Sequence, residues 1–142
     1  KFLGKTPDEQ KPQLHAALLA AASRHTEFEL QLNKTGIFGS SYHPRVIWLG
    51  DDDSQEIRLL GEDMLNGLDA AGFPRDRQNF VPHLTLGRVK QINNKKHFQK
   101  VMNQFRFAFS LYVNVKEFVL YQSILKPGGP VYIALKRYRL RT

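Results

Sequence analysis

The order of elements repeats once along this chain, and that repeat constrains the fold more than any single residue. After Lys1-Phe2-Leu3-Gly4 come a helix, an alternating strand (Phe28, Leu30, Leu32) and a second strand at 45–49. After Gly87-Arg88-Val89 come a helix, an alternating strand (Phe107, Phe109, Leu111) and a second strand at 117–125. Two copies of one helix–strand–strand unit predict a two-lobed α+β domain with pseudo-two-fold symmetry. No low-complexity linker divides the chain, so residues 1–142 read as a single bilobal domain.

Local signals place the elements. Thr6, Pro7 and Glu9 predict a capping box and first turn for helix one, with Leu14, Leu18 and Ala21 on its apolar face. Residues 27–32 alternate as a half-buried strand, and residues 36–41 read as a loop. A second helix is expected near Asp53 with Glu56 completing a capping box. Ile57, Leu60, Met64, Leu68 and Ala71 form its stripe, and Gly72 stops it. Residues 80–89 read as a strand. Asn94 caps a third helix carrying Phe98, Val101, Met102 and Phe105, and the turn at Pro127-Gly128-Gly129-Pro130 joins a final hairpin.

Composition narrows the partner. The net charge is +8, which favours an anionic ligand, nucleic acid or a nucleotide above all. Part of that charge lies at 136–141 around Tyr138, which reads as the solvated face of a last strand; tracking phosphates and stacking a base is the alternative. The absence of cysteine excludes disulfides and thiolate metal sites, and fits a reducing, cytoplasmic setting. No apolar run approaches the roughly 20 residues that span a bilayer, so no membrane partner is expected.

One segment carries chemistry: Phe80-Val81-Pro82-His83-Leu84-Thr85-Leu86-Gly87-Arg88. Strand period two puts His83 and Thr85 on one face and Leu84 and Leu86 on the other, toward core. An imidazole exchanges protons near neutral pH, and a hydroxyl two residues on can donate to a phosphoryl oxygen. Strict alternation sends Arg88 to the leucine face unless Gly87 marks a bulge. The competing reading is a structural histidine in a common tripeptide. His15, His25, His43 and His97 lack a hydroxyl two residues on within a strand. Superposing the copies, Lys1 on Gly87, places the twin of His83-Leu84-Thr85-Leu86 in the four residues ahead of Lys1. The chain is therefore expected to be N-terminally incomplete.

The His83–Arg88 run resembles the second signature of the 2H phosphoesterase superfamily, and more narrowly the RNA 2′,3′-cyclic phosphodiesterases, also called 2′–5′ RNA ligases. Lys1-Phe2-Leu3-Gly4, Pro44-Arg45-Val46-Ile47-Trp48-Leu49-Gly50 and Phe118-Val119-Leu120-Tyr121-Gln122-Ser123 with Tyr132 are similar to further stretches of that family. The resemblance implies a fold with antiparallel sheets lining a central cleft and helices outside. It implies hydrolysis of RNA 2′,3′-cyclic phosphate ends to 2′-phosphomonoesters, without cofactor or metal, by two imidazoles. With a 5′-hydroxyl replacing water, the same site would join RNA ends through a 2′–5′ bond without ATP. His83 and Thr85 would be catalytic. Arg88 and Arg45 would contact phosphate, and Tyr132 or Phe38 would stack on a base. Arg45 could instead pair with the Asp51–Asp53 run, and Phe38 could pack the loop. The implied partner is RNA or a nucleotide ending in a cyclic phosphate, and the protein a monomer. Two other classes stay open: a non-catalytic nucleotide or RNA binder of 2H type, and a plain α+β interaction domain.

Overall fold

A computed structural model describes every residue of the chain except Asp52, Arg77 and Gln78. Among the described residues the architecture is α+β, with three α-helices and antiparallel strand pairs. Two compact units form: Lys1–Phe28 with Leu59–Asn79 and Asn114–Thr142, and Glu29–Arg58 with Phe80–Val113. The repeat copies and these units are not the same residues. The helix of each copy shares a unit with strands of the other.

In the first unit, helix α1 (Lys11–Arg24) packs Leu14 and Leu18 against an antiparallel hairpin, β6 (Glu117–Lys126) and β7 (Gly129–Arg139). The expected capping box at Thr6 and Glu9 does not form. A 3-10 turn, Asp8–Gln10, precedes α1, and the Thr6 hydroxyl donates instead to the Gly4 carbonyl at 3.3 Å. Pro12, rather than Pro7, sits in the first turn of the α-helix. Tyr138 is 1% exposed. Its ring stacks on Phe118 at 5.2 Å, its hydroxyl lies 2.5 Å from His15 Nδ1, and burial pushes its phenol pKa up. Strand alternation thus turns Tyr138 inward, away from Arg137 and Arg139, while Lys136 on the same face sits 5.5 Å from its ring centroid; so buried, the ring is closed to base stacking.

Helix α2 (Gln55–Ala70) begins two residues later than expected, because Ser54 caps it: Ile57 N donates to Ser54 Oγ at 3.4 Å. Its stripe buries Leu60 and Leu68. Gly72 takes φ +87, and Phe73 N donates to Leu68 O at 2.8 Å, a left-handed stop that also folds Phe73 onto the core.

Asp63 on α2 receives two Arg24 hydrogen bonds of 2.8 Å and lies 3.0 Å from His25 Nε2. Its carboxyl is held below the usual carboxylate range, chiefly by the Arg24 hydrogen bonds, helped by His25 and opposed by burial. A depressed folded-state pKa stabilises above the unfolded value and loses that stability as pH falls through the folded one. Asp63→Asn should therefore lower stability by about 1 kcal/mol near pH 7. In melts from pH 7 downward, the gap between variant and parent should close below about pH 4.

The second unit contains a three-stranded antiparallel sheet of β2 (Lys34–Gly39), β3 (Pro44–Gly50) and β4 (His83–Arg88), in that order. The loop expected at 36–41 is thus largely strand; Gly36 and Gly39 hide it by interrupting the strand-forming pattern. β1 (Phe28–Leu32) pairs with β5 (Leu111–Val115). Asn94 caps α3 (Lys95–Gln104) as expected, its side chain accepting from His97 N at 2.9 Å. The strand expected from 107 starts only at Leu111. Thr35 explains the delay: it binds the carbonyls of Phe105 and Arg106 at 3.0 and 2.8 Å, tying that stretch to β2 as a turn.

Candidate active site

The β3–β4 register decides which side chains share a face. Gly50 pairs with His83, Leu49 with Leu84, Trp48 with Thr85, Ile47 with Gly87 and Val46 with Arg88. Leu86 is skipped, so β4 carries a bulge there. Directly paired residues project to the same side, and β3 alternates, so Gly50, Trp48 and Val46 define one face. His83, Thr85 and, past the bulge, Arg88 lie on it. Strict alternation had sent Arg88 to the leucine side; the extra residue turns it back. From β2, Gly36 and Phe38 join the same face through their pairing with Trp48 and Val46.

Leu84 and Leu86 were expected in core, yet they are 46% and 54% exposed. β4 is an edge strand with β3 as its one ladder neighbour among the described residues, and its leucine side is only partly covered.

His83 has a fixed orientation. Its Nδ1 lies 2.7 Å from the Val81 carbonyl. A carbonyl only accepts, so Nδ1 donates to it and Nε2 is the ring nitrogen left to exchange a proton with a reactant. Pro82 restricts Val81 to extended backbone, which presents that carbonyl. The Phe38 ring stands 4.7 Å from the imidazole at 88°, and Trp48 lies 5.6 Å behind Phe38. Phe38 is therefore a strand residue already engaged by two rings.

The other expected residues divide. Arg45 lies at a second bulge, between Phe38↔Val46 and Gly39↔Pro44, and its carbonyl accepts from Val89 N at 2.9 Å. That puts its backbone beside Arg88 at one end of the ladder. The suggested pairing of Arg45 with the acidic run is replaced by Arg58, which faces Asp51 and Asp53 at 3.7 and 3.6 Å; Asp52 is outside the described residues. Tyr132 belongs to the other unit, on β7, exposed and edge-on to Tyr121 at 6.4 Å. His15 and His25 are engaged with Tyr138 and Asp63. Trp48 and the Val81 carbonyl escaped sequence reading; the one signal was a lone tryptophan in a strand.

Such a face offers a proton acceptor, a hydroxyl and a guanidinium in line along one strand. That set suits a phosphoryl group: the planar guanidinium matches its oxygens, and the hydroxyl donates to one more. Among the described residues, no helix is long and apolar enough to cross a membrane.

The profile of the 2′-5′ RNA ligase superfamily matches residues 2–125. An RNA 2′,3′-cyclic phosphodiesterase of Methanocaldococcus jannaschii is 31% identical over 138 residues, covering 97% of this chain and 76% of that protein. One from Thermotoga maritima is 31% identical over 134 residues, covering 94% and 70%. The crystal structure of Escherichia coli LigT complexed with 3′-AMP superposes with a TM-score of 0.75 at 27% identity, covering all of this chain and 75% of that one. A Thermus thermophilus structure gives 0.76 at 31% identity, covering 99% and 75%. The profile match, the level of identity and the shared fold lead to one statement: this chain belongs to the 2′-5′ RNA ligase superfamily.

Proposed function

We propose that the protein hydrolyses RNA 2′,3′-cyclic phosphate ends to 2′-phosphomonoesters, with ATP-independent 2′–5′ joining of RNA ends as a side activity in which a 5′-hydroxyl replaces water. The observation that carries this reading is the bulge at Leu86, which turns Arg88 onto the face of His83 and Thr85. Relatives about 30% identical are RNA 2′,3′-cyclic phosphodiesterases, which supports the same substrate class. The net charge of +8 suits a polyanion.

In the reaction, water attacks phosphorus and the bond to O3′ breaks. One proton leaves the water and another reaches O3′. His83 makes one of these transfers through Nε2, with no metal in the step. Thr85 and Arg88 hold the non-bridging oxygens and stabilise the charge that grows there. The second transfer needs a second group. His15 and His25 are held by Tyr138 and Asp63. Arg45 approaches the phosphate end beside Arg88. The protein acts as a cytoplasmic monomer on RNA or nucleotide, within one bilobal domain.

The test uses the intact protein and an RNA oligomer ending in a 2′,3′-cyclic phosphate, with excess chelator. The expected result is opening of the terminal ring at an undiminished rate, with internal 3′–5′ linkages intact. Cleavage of internal linkages, dependence on added divalent ion, or no turnover would each contradict the proposal.

A further inference from the structure

The His83 face rests on an aromatic stack that the chemistry above does not use. Trp48 is the only tryptophan in the chain. Its indole lies over two glycines on the same face. A Cβ on Gly36 would come within 2.2 Å of the ring, and one on Gly50 within 2.8 Å. Both positions are thus reserved for the indole: any side chain there would displace it. Its Nε1–H is buried and meets no acceptor among the described residues, so packing alone locates the ring. Phe38 leans on the indole at 5.6 Å, and His83 meets Phe38 at 4.7 Å, perpendicular. Perpendicular ring pairs are favourable and directional.

These contacts form one line from the sheet floor to the imidazole. The Val81 carbonyl fixes one edge of the ring, at Nδ1. A single hydrogen bond leaves the ring free to swing about it. The Phe38 contact removes that freedom, and Trp48 keeps Phe38 in place. We propose that Trp48 is the positioning residue of this site: seated on Gly36 and Gly50, it braces Phe38 so that His83 Nε2 keeps one direction. Phe38 is then a brace for the imidazole rather than a platform for the base. The proposal rests on the catalytic reading of His83 only for its kinetic consequence.

Positioning acts on the proton transfer, so the loss appears in kcat rather than KM. Trp48→Leu removes the indole and Gly36→Ala takes the space it fills, and neither touches a polar group of the site. In the intact protein hydrolysing a 2′,3′-cyclic mononucleotide, each should lower kcat on the order of tenfold to a hundredfold. KM should stay within about a factor of two, because the phosphate contacts remain. Trp48→Phe should recover much of the loss. A second readout needs no turnover: the imidazole C–H protons of His83 are shifted by the Phe38 ring current in proton–carbon NMR, assigned through their absence in His83→Ala. In Gly36→Ala they should move toward the position of an unstacked histidine while the melting temperature still shows a folded protein. Unchanged kcat, a rise confined to KM, or unmoved His83 signals in folded Gly36→Ala would overturn the proposal. No hydrolysis by the parent protein would sink the function instead, and the NMR comparison would still decide the positioning role.

Discussion

His83→Ala should lower kcat for 2′,3′-cyclic nucleotide hydrolysis by about 10²–10⁴-fold, the range general acid–base groups supply. The imidazole is exposed on β4, so the change should barely affect folding; we expect a melting temperature within about 2 °C of the parent. Thr85 and Arg88 stay in place, so affinity for a 2′-nucleotide should hold within about a factor of three. This pattern, turnover lost and binding kept, separates an enzyme from a binder built on the same face. Parent-like turnover in the variant would remove His83 from the chemistry.

Tyr138→Ala should be the most damaging single change in the first unit. The side chain is buried, stacks on Phe118 and meets His15 through its hydroxyl. Removing a large buried ring costs about 3–5 kcal/mol through lost burial and the cavity left behind. For a chain of this length that lowers the melting temperature by about 10 °C or more. Tyr138→Phe isolates the hydroxyl and should cost about 1 kcal/mol. Calorimetry reads both. A cost below about 1 kcal/mol for the alanine variant would contradict the place of Tyr138 in this core.

Much of this fold was visible in sequence because two of its signals are local. Asn94 and Gly72 mark helix ends by chemistry that acts within a turn, and both do so in the structure. His83 and Thr85 share a face because period two is a property of any strand. What stayed hidden depends on partners far along the chain. Arg88 could be placed only once β3 showed that Leu86 is skipped; Gly87 hinted at a bulge without fixing its residue. β2 was hidden because Gly36 looks like a loop glycine until the Trp48 indole is seen to need its space. Tyr138 looked solvated among basic neighbours, yet alternation turns it into the core. Thr6 and Glu9 fit a capping box, but the chain inserts a 3-10 turn there.

Phosphorus NMR of 2′,3′-cyclic AMP incubated with the intact protein and chelator tests the central claim most directly, because it follows the bond that breaks. The account predicts that the cyclic resonance gives way to a single 2′-phosphomonoester, and that under the same conditions His83→Ala leaves the cyclic resonance in place. A 3′-phosphomonoester product, or equal conversion by the parent and His83→Ala, would contradict it.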